Sequence, residues 1–300
     1  MNFTTMVKEE LASKNSGILE LRLETLAFIN FNSSFEKDYL LLYSESAGTI
    51  RKIYKNIKKT YNIQPKIVVR SQKMFKMTQV YMLEIYDKVN IIQDEIKNIK
   101  TTELSEEEIN AYLEGAFLSV GSVSDPKTSG YHLEFATSTE EDAKHLKLLL
   151  KNINIPSKII ARNNKRVVYI KSSEKISDLL KRFKITNSLF YFEDLRIYRD
   201  HKNMVNRLNN CEIANQEKTI KTGLQQLENI KYIKDNDLLN LLDERTKIVI
   251  DKREKYPESS YSELADIISM ETNYKIGKSG INHQFIKIRE LVERHKNIGG

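Results

Sequence analysis

The side chains best suited to chemistry in this sequence lie near its C-terminus. Helical spacing places the apolar residues of this segment on one narrow stripe, at Ile281, Phe285, Ile288 and Val292. The remaining faces carry hydroxyl, amide, imidazole and cationic groups, which hydrogen-bond to phosphate oxygens and base edges. No acidic residue occurs between Glu271 and Glu290. This segment therefore favours binding to a polyanion.

Two helices are needed to position these groups. Ser260 and Glu263 form a capping box that begins a short helix, and Ser279 is the expected N-cap of a second one. Such a pair is typical of a helix-turn-helix, whose second helix enters the major groove of DNA. The expected DNA contacts are Lys275, Lys278, Ser279, Asn282, His283, Gln284, Ile286, Lys287 and Arg289. Because the connection between the helices is longer than the usual turn, a plain helical hairpin remains the alternative.

Two further basic tracts lie in the first two thirds of the chain. Nine basic residues and no acidic residue lie between Glu45 and Glu84. Between Asp142 and Glu174 there are eight basic residues and again no acidic one. The expected backbone contacts in these tracts are Lys66, Arg70, Lys73, Lys158, Arg162, Lys165 and Arg166. The alternative is that lysine-rich helix faces and strand edges are only solvated and discourage aggregation.

The same order of patterns occurs twice along the chain. Helix, strand, helix, strand, strand and helix patterns run through residues 20–100 and again through 106–190. We interpret them as two α-β-β-α-β-β-α units, which pack together with pseudo-two-fold symmetry because each sheet alone has a face to cover. The expected fold class is α+β. We expect a two-repeat domain over 1–200, a helical linker over 201–235 and an all-α helix-turn-helix domain over 236–300.

The composition and the absence of certain motifs indicate which classes of protein the chain can belong to. The chain has 300 residues, a net charge of +7, one cysteine and no apolar stretch approaching the roughly 20 residues that span a bilayer. We therefore expect a folded protein of the reducing cytoplasm. No phosphate-binding loop, dinucleotide turn or zinc spacing is present, so no cofactor, metal or small-molecule substrate is expected. Cys211 is expected to be a small buried residue.

Each unit begins with an apolar helix that contains small residues, over 24–34 and over 112–122. The small residues are Ala27 in the first helix and Gly115, Ala116 and Ser119 in the second. The second helix and the segment 121–126 that follows it resemble the second helix motif of the LAGLIDADG homing endonucleases. They resemble still more closely the WhiA regulators of bacteria, in which this domain is domesticated. The resemblance extends to residues 3–11, 206–215 and the C-terminal helices.

The resemblance implies a lost nuclease site. In the nucleases each motif helix ends in an acid that holds a catalytic metal, and the corresponding positions here are Asn32 and Val120. Valine offers no lone pair and neutral asparagine is a poor ligand for Mg²⁺. Asp125 lies nearby, but its Ser-Asp-Pro context indicates a turn. We therefore expect no catalytic residue and no enzymatic activity.

What the resemblance implies for function is regulation of transcription, with roles in cell division and chromosome segregation and, in some relatives, in sporulation. The expected partner is double-stranded DNA in the nucleoid of the cytoplasm, together with another transcription or cell-division protein. Two alternatives stay open. One is a metal-dependent LAGLIDADG-type endonuclease with a rebuilt site, and the other is a protein-interaction platform tethered to DNA by its C-terminal domain.

Overall fold

A computed structural model describes residues 2–36, 38–73, 77–99, 103–128 and 130–298. The chain divides into two compact units, 1–200 and 201–300. No helix in these described ranges is long and apolar enough to cross a membrane.

The first unit begins with α1 (Phe3–Ser13) and then contains two repeats. The first repeat consists of α2 (Ile18–Asn32), β1 (Ser34–Phe35), β2 (Leu40–Ser44), α3 (Ala47–Tyr61), β3 (Lys66–Lys73), β4 (Met77–Ile85) and α4 (Val89–Lys97). The second consists of α5 (Glu106–Val120), β5 (Gly121–Val123), β6 (Leu133–Thr137), α6 (Glu140–Asn152), β7 (Lys158–Arg162), β8 (Lys165–Ile170) and α7 (Ser173–Arg182). The predicted pair of α-β-β-α-β-β-α units is confirmed.

Both sheets have the same topology. The strand orders are β1-β2-β4-β3 and β5-β6-β8-β7, and every neighbouring pair is antiparallel. One face of each sheet packs on the core, through residues such as Leu42 and Leu83 in the first and Phe135 and Val168 in the second. Buried positions alternate with less buried ones along β2 and β6.

The two repeats meet where α2 packs against α5. Both helices have 15 residues and are buried along most of their length. A Cβ atom on Gly115 would lie 2.0 Å from the backbone oxygen of Glu24 and 3.0 Å from the Cβ of Ala27. Glycine at this position therefore permits the two helix backbones to touch.

Two buried ion pairs border this helix pair. Lys52 of α3 contacts Glu24 at 2.7 Å and donates to the Leu11 carbonyl, also at 2.7 Å. Lys14 contacts Glu114 at 2.5 Å, and burial raises the pKa of the Glu114 carboxyl to about 7. The pairs join α1, α2, α3 and α5. Buried pairs are costly to break, because removal of one partner leaves a charge without compensation.

The second unit is helical. Helix α8 (Thr186–Asp235) begins in the first unit and ends in the second, where it is followed by a 3₁₀ turn (Leu238–Leu241), α9 (Glu244–Lys255), α10 (Tyr261–Glu271) and α11 (Lys278–Ile298). Ile230 and Ile233, at the end of α8, are buried in the core that α9, α10 and α11 form. These two residues lie in the stretch expected to be a linker.

Two predicted helix boundaries in this unit were wrong. The apolar spacing of residues 238–256 predicts one continuous helix, but the chain leaves it at Leu242 because the Asp243 side chain caps α9, accepting from the Thr246 N–H at 2.8 Å. The last helix begins at Lys278, one residue before the expected N-cap. The N–H of Ile281 bonds to the Gly277 carbonyl at 3.0 Å, so Ser279 lies within the first turn.

We predict that Gly115→Ala destabilises the first unit by about 2–3 kcal/mol, because the new methyl group overlaps a backbone carbonyl that only a shift of α2 can move. The free energy of unfolding in urea measures the effect. Gly48→Ala in α3 is the matched control, since its Cβ meets only ordinary contacts at 3.5 and 3.6 Å and alanine favours the helix. Equal stability of the two variants would contradict the close contact.

Candidate nucleic-acid interface

The predicted apolar stripe of α11 is the side that packs into the second unit. Ile281, Phe285, Ile288 and Val292 are at most 5% exposed. They contact α9 and α10, whose own buried residues include Leu264 and Ile268. The capping box begins α10 as predicted, with Ser260 N–H donating to Glu263 at 2.7 Å. The α10–α11 pair is thus fixed by its core, and its other side is free to contact a ligand.

The exposed side of the pair carries most of the predicted contacts. Lys278, Ser279, Asn282, His283 and Arg289 of α11 are exposed, and Lys275 is exposed on the connection that precedes it. Ile286 is half-buried. Residues four apart on a helix lie on one face, so Lys278 and Asn282 are neighbours, and so are Ser279 and His283. A cation, a hydroxyl, an amide and an imidazole therefore lie close together on the first two turns of α11.

Lys287 is less free than expected. Its Nζ lies 3.1 Å from Oδ2 of Asp243, the N-cap of α9. Hydrogen bonds from Thr246, and then from Lys287, lower the pKa of the Asp243 carboxyl to about 2. Both side chains are partly exposed, so this pair is weak and a phosphate can compete for the ammonium.

Gln284 requires a correction, because the structure does not present it to solvent. Only 7% of the residue is exposed, and its side-chain amide lies within hydrogen-bonding distance of the Thr246 hydroxyl, at 2.7 Å. The sequence contained a signal for this placement. Gln284 is three residues from Ile281 and four from Ile288, which puts it at the edge of the buried stripe.

Arg253 organises the unit and was missed in the sequence. Its side chain is fully buried, and one guanidinium nitrogen lies within hydrogen-bonding distance of the carbonyls of Tyr256 (3.3 Å), Pro257 (3.2 Å) and Ser259 (2.7 Å). The guanidinium also lies 5.4 Å from the centre of the Phe285 ring. Burial lowers the pKa of Arg253. These contacts hold the connection between α9 and α10 against α11.

The cations predicted on the strands of the first unit fall into two groups. Lys66 pairs with Glu84 at 3.0 Å, Arg162 with Glu134 at 2.6 Å and Arg166 with Glu140 at 3.7 Å. Arg70, Lys158 and Lys165 are exposed and form no ion pair within the described part of the chain. Lys73 ends β3, but its side chain is not among those described, and Lys76 of the same tract lies outside the described residues.

The positions that correspond to the nuclease acids lie at the C-terminal ends of the packed helices. Asn32 ends α2, and its Oδ1 accepts the Tyr43 N–H at 2.8 Å. Val120 ends α5. Asp125 forms a turn, with its Oδ1 accepting the Lys127 N–H at 2.9 Å and its carbonyl accepting the Thr128 N–H, also at 2.9 Å. The described residues include no group of three or more His, Cys, Asp or Glu side chains that could hold a metal ion.

The expectation that Cys211 is buried was wrong. Its side chain is exposed on α8, in a stretch of that helix whose residues from 201 to 218 are exposed on every side. Helical spacing alone does not reveal whether a second element covers a helix face.

Comparison with known proteins gives a consistent result along the chain. Residues 22–98 match the WhiA N-terminal LAGLIDADG-like domain, 109–202 the WhiA LAGLIDADG-like domain and 205–292 the WhiA C-terminal HTH domain. The chain is 35% identical over 309 residues to the probable cell division protein WhiA of Bacillus velezensis, covering 98% of this chain and 97% of that protein. It is 33% identical over 311 residues to the protein of the same name from Staphylococcus aureus, covering 99% and 98%.

A solved structure is similar as well. The crystal structure of full-length DUF199/WhiA from Thermatoga maritima matches with a TM-score of 0.59 and 25% sequence identity, over 98% of this chain and 99% of that one. The matched domains cover both repeats and the α10–α11 pair. The chain belongs to the WhiA family.

Proposed function

We propose that this protein is a transcriptional regulator that binds double-stranded DNA through α11 and does not cleave it. The observation that carries the proposal is the exposed surface of α11, where Ser279 and His283 lie on the side away from the packed apolar stripe and Lys278, Asn282 and Arg289 are exposed beside it. The match to an HTH domain supports the same role. Lys275 and Lys278 contact phosphates, while Asn282 and His283 reach base edges.

The biological setting follows from the relatives. They carry the name cell division protein, and we propose that this chain acts in cell division and chromosome segregation, with sporulation a role of some family members only. It acts in the cytoplasm at the nucleoid. The two-repeat domain (1–200) is joined by a helical linker (201–235) to the DNA-binding domain (236–300). Arg70, Lys158 and Lys165 supply further backbone contacts, and a second transcription or cell-division protein is a partner.

The test of DNA binding is a gel-shift titration of Lys278→Glu at about 0.1 M salt. We expect an affinity for duplex at least about tenfold lower, because the substitution removes one phosphate contact and adds a repulsive charge. The slope of log K against log salt should decrease in magnitude by about 1. Lys231→Glu makes the same charge change on the exposed surface of α8 and should retain nearly full affinity. Equal affinities of the two variants would contradict the role of α11.

The endonuclease alternative is tested with plasmid DNA and Mg²⁺ or Mn²⁺. We expect the plasmid to stay intact, since the positions at the ends of α2 and α5 hold an asparagine engaged with Tyr43 and a valine. Site-specific cleavage by the full-length protein that disappears in Asp125→Asn or Glu45→Gln would establish a rebuilt site and overturn the proposal. Cleavage that persists in both variants points to a contaminating enzyme.

A further inference from the structure

A groove of 1460 Å³ is lined by residues of the first unit. Its lining includes α1, one face of α3 from Ala47 to Lys59, the connection between β2 and α3, and the C-terminal ends of α2 and α5. We call it the α1–α3 groove. Sites for small molecules measure roughly 300–1,000 Å³, so this one has room for a ligand of nucleotide size.

The α1–α3 groove contains basic side chains that no acidic side chain pairs with in the described part of the chain. Four of its cations form no ion pair within the described part of the chain, and they are Lys8, Arg51, Lys55 and Lys59. The acids that line it are Glu9 and Glu45. Lys14 and Lys52 also line it, but their charges are already engaged by the buried Glu114 and Glu24.

Three of these cations form a regular row. Arg51, Lys55 and Lys59 are exposed and four residues apart on α3, so they share one face and extend over about 12 Å of the helix. A row of this length can contact several linked phosphate groups at once. A single phosphate group would leave part of the row unused.

Lys8 lies on the α1 side of the groove. Its Nζ is 3.5 Å from the Ser119 carbonyl near the end of α5 and 6.0 Å from the centre of the Phe117 ring. Burial lowers the pKa of this ammonium to about 8. Glu45 offsets this effect only in part and forms no ion pair with Lys8 among the described residues, so an incoming anion stabilises the half-buried ammonium. The polar groove lining continues through Asn15 and Tyr43, whose ring is half exposed.

The second repeat shows that the fold does not require this row. Helix α6 begins 93 residues after α3, as β6 begins 93 residues after β2. The residues of α6 that correspond to Arg51, Lys55 and Lys59 are therefore Lys144, Leu148 and Asn152. Lys144 pairs with Glu140 at 2.9 Å. The free basic row is a property of the first repeat alone.

We propose that the α1–α3 groove binds a phosphorylated small molecule of nucleotide size. The linked phosphates contact Arg51, Lys55 and Lys59, and Lys8 contacts the phosphate that lies deepest. Duplex DNA presents its phosphates on a convex surface, which can reach the exposed row but not the half-buried Lys8. A small ligand can contact both. The groove and α11 are separate binding sites. A metabolite in the groove and DNA on α11 can therefore bind to the same chain.

The experiment uses full-length protein without DNA and without divalent metal. Isothermal titration with sodium tripolyphosphate and with ATP, at about 0.1 M salt, should show saturable binding of one molecule per chain. Lys55→Glu should weaken both probes about tenfold or more, because it removes a charge-assisted hydrogen bond and adds a repulsion. Lys8→Met should weaken them similarly. Lys147 of α6 is exposed and forms no ion pair with the residues that the structure describes, so Lys147→Glu is the matched control and should bind as the wild type does.

Three results would overturn the proposal. The first is failure of the wild type to bind either probe at millimolar concentration. The second is equal loss in Lys55→Glu and Lys147→Glu, which would indicate only a general effect of charge. The third is unchanged probe binding in Lys55→Glu together with weaker duplex binding, which would make the groove a DNA surface. Lys55 is exposed, so its variant folds even if Lys8→Met does not. None of these results depends on the outcome for Lys278→Glu.

Discussion

The close contact between α2 and α5 is the constraint on which the first unit depends. Gly115 permits the backbone of α5 to touch the Glu24 carbonyl of α2, and Ala27 occupies the space beside it. This contact brings the two repeats together so that each covers part of the other's apolar surface. It also forces Glu24 and Glu114 into the interior, where Lys52 and Lys14 must compensate them. The ion pairs are a consequence of the seam, and they tie α1 and α3 to it.

The side chains at the ends of the seam helices, and the cations of the first unit, differ in whether another group of the protein already engages them. The ends of the two seam helices hold an asparagine that accepts the Tyr43 N–H and a valine. The cations around the seam are divided between those that neutralise carboxylates and those that remain free. Among the described residues, unpaired cations lie on α3 and on the strands at Arg70, Lys158 and Lys165, and in the second unit at the start of α11. These are the surfaces to which we assign anionic partners. Paired cations such as Lys66 and Arg162 mainly offset the acids Glu84 and Glu134.

Much of the fold was predictable because its signals are periodic. The alternation along β6 and the helical stripes of α3 and α11 report which residues are buried, whereas β2, β4 and β8 were recognisable only as short apolar runs. The short strands β1 and β5 were not recognised individually, since two or three residues carry almost no pattern. The break at Leu242 was missed because one capping side chain, Asp243, outweighed a continuous apolar spacing.

The site was predictable only in part, because charge and spacing do not reveal tertiary partners. Sequence spacing found the exposed face of α11, but it could not show that Asp243 engages Lys287 or that Thr246 engages Gln284. Arginine is usually a surface residue, so nothing in the sequence indicated that Arg253 is buried. Its three backbone carbonyl partners lie in a loop whose path only the fold determines. The basic groove was invisible for the same reason, since α1 and α3 are far apart in sequence.

The most direct test of the central claim is selection of bound duplexes from a random DNA library, carried out with the full-length protein and with Asn282→Ala. If α11 reads bases, the wild type should enrich one sequence motif. The variant should lose preference at one or two positions of that motif and keep the rest, because each base contact discriminates by about 1–3 kcal/mol. An unchanged motif in the variant, or no enrichment by the wild type, would contradict the account.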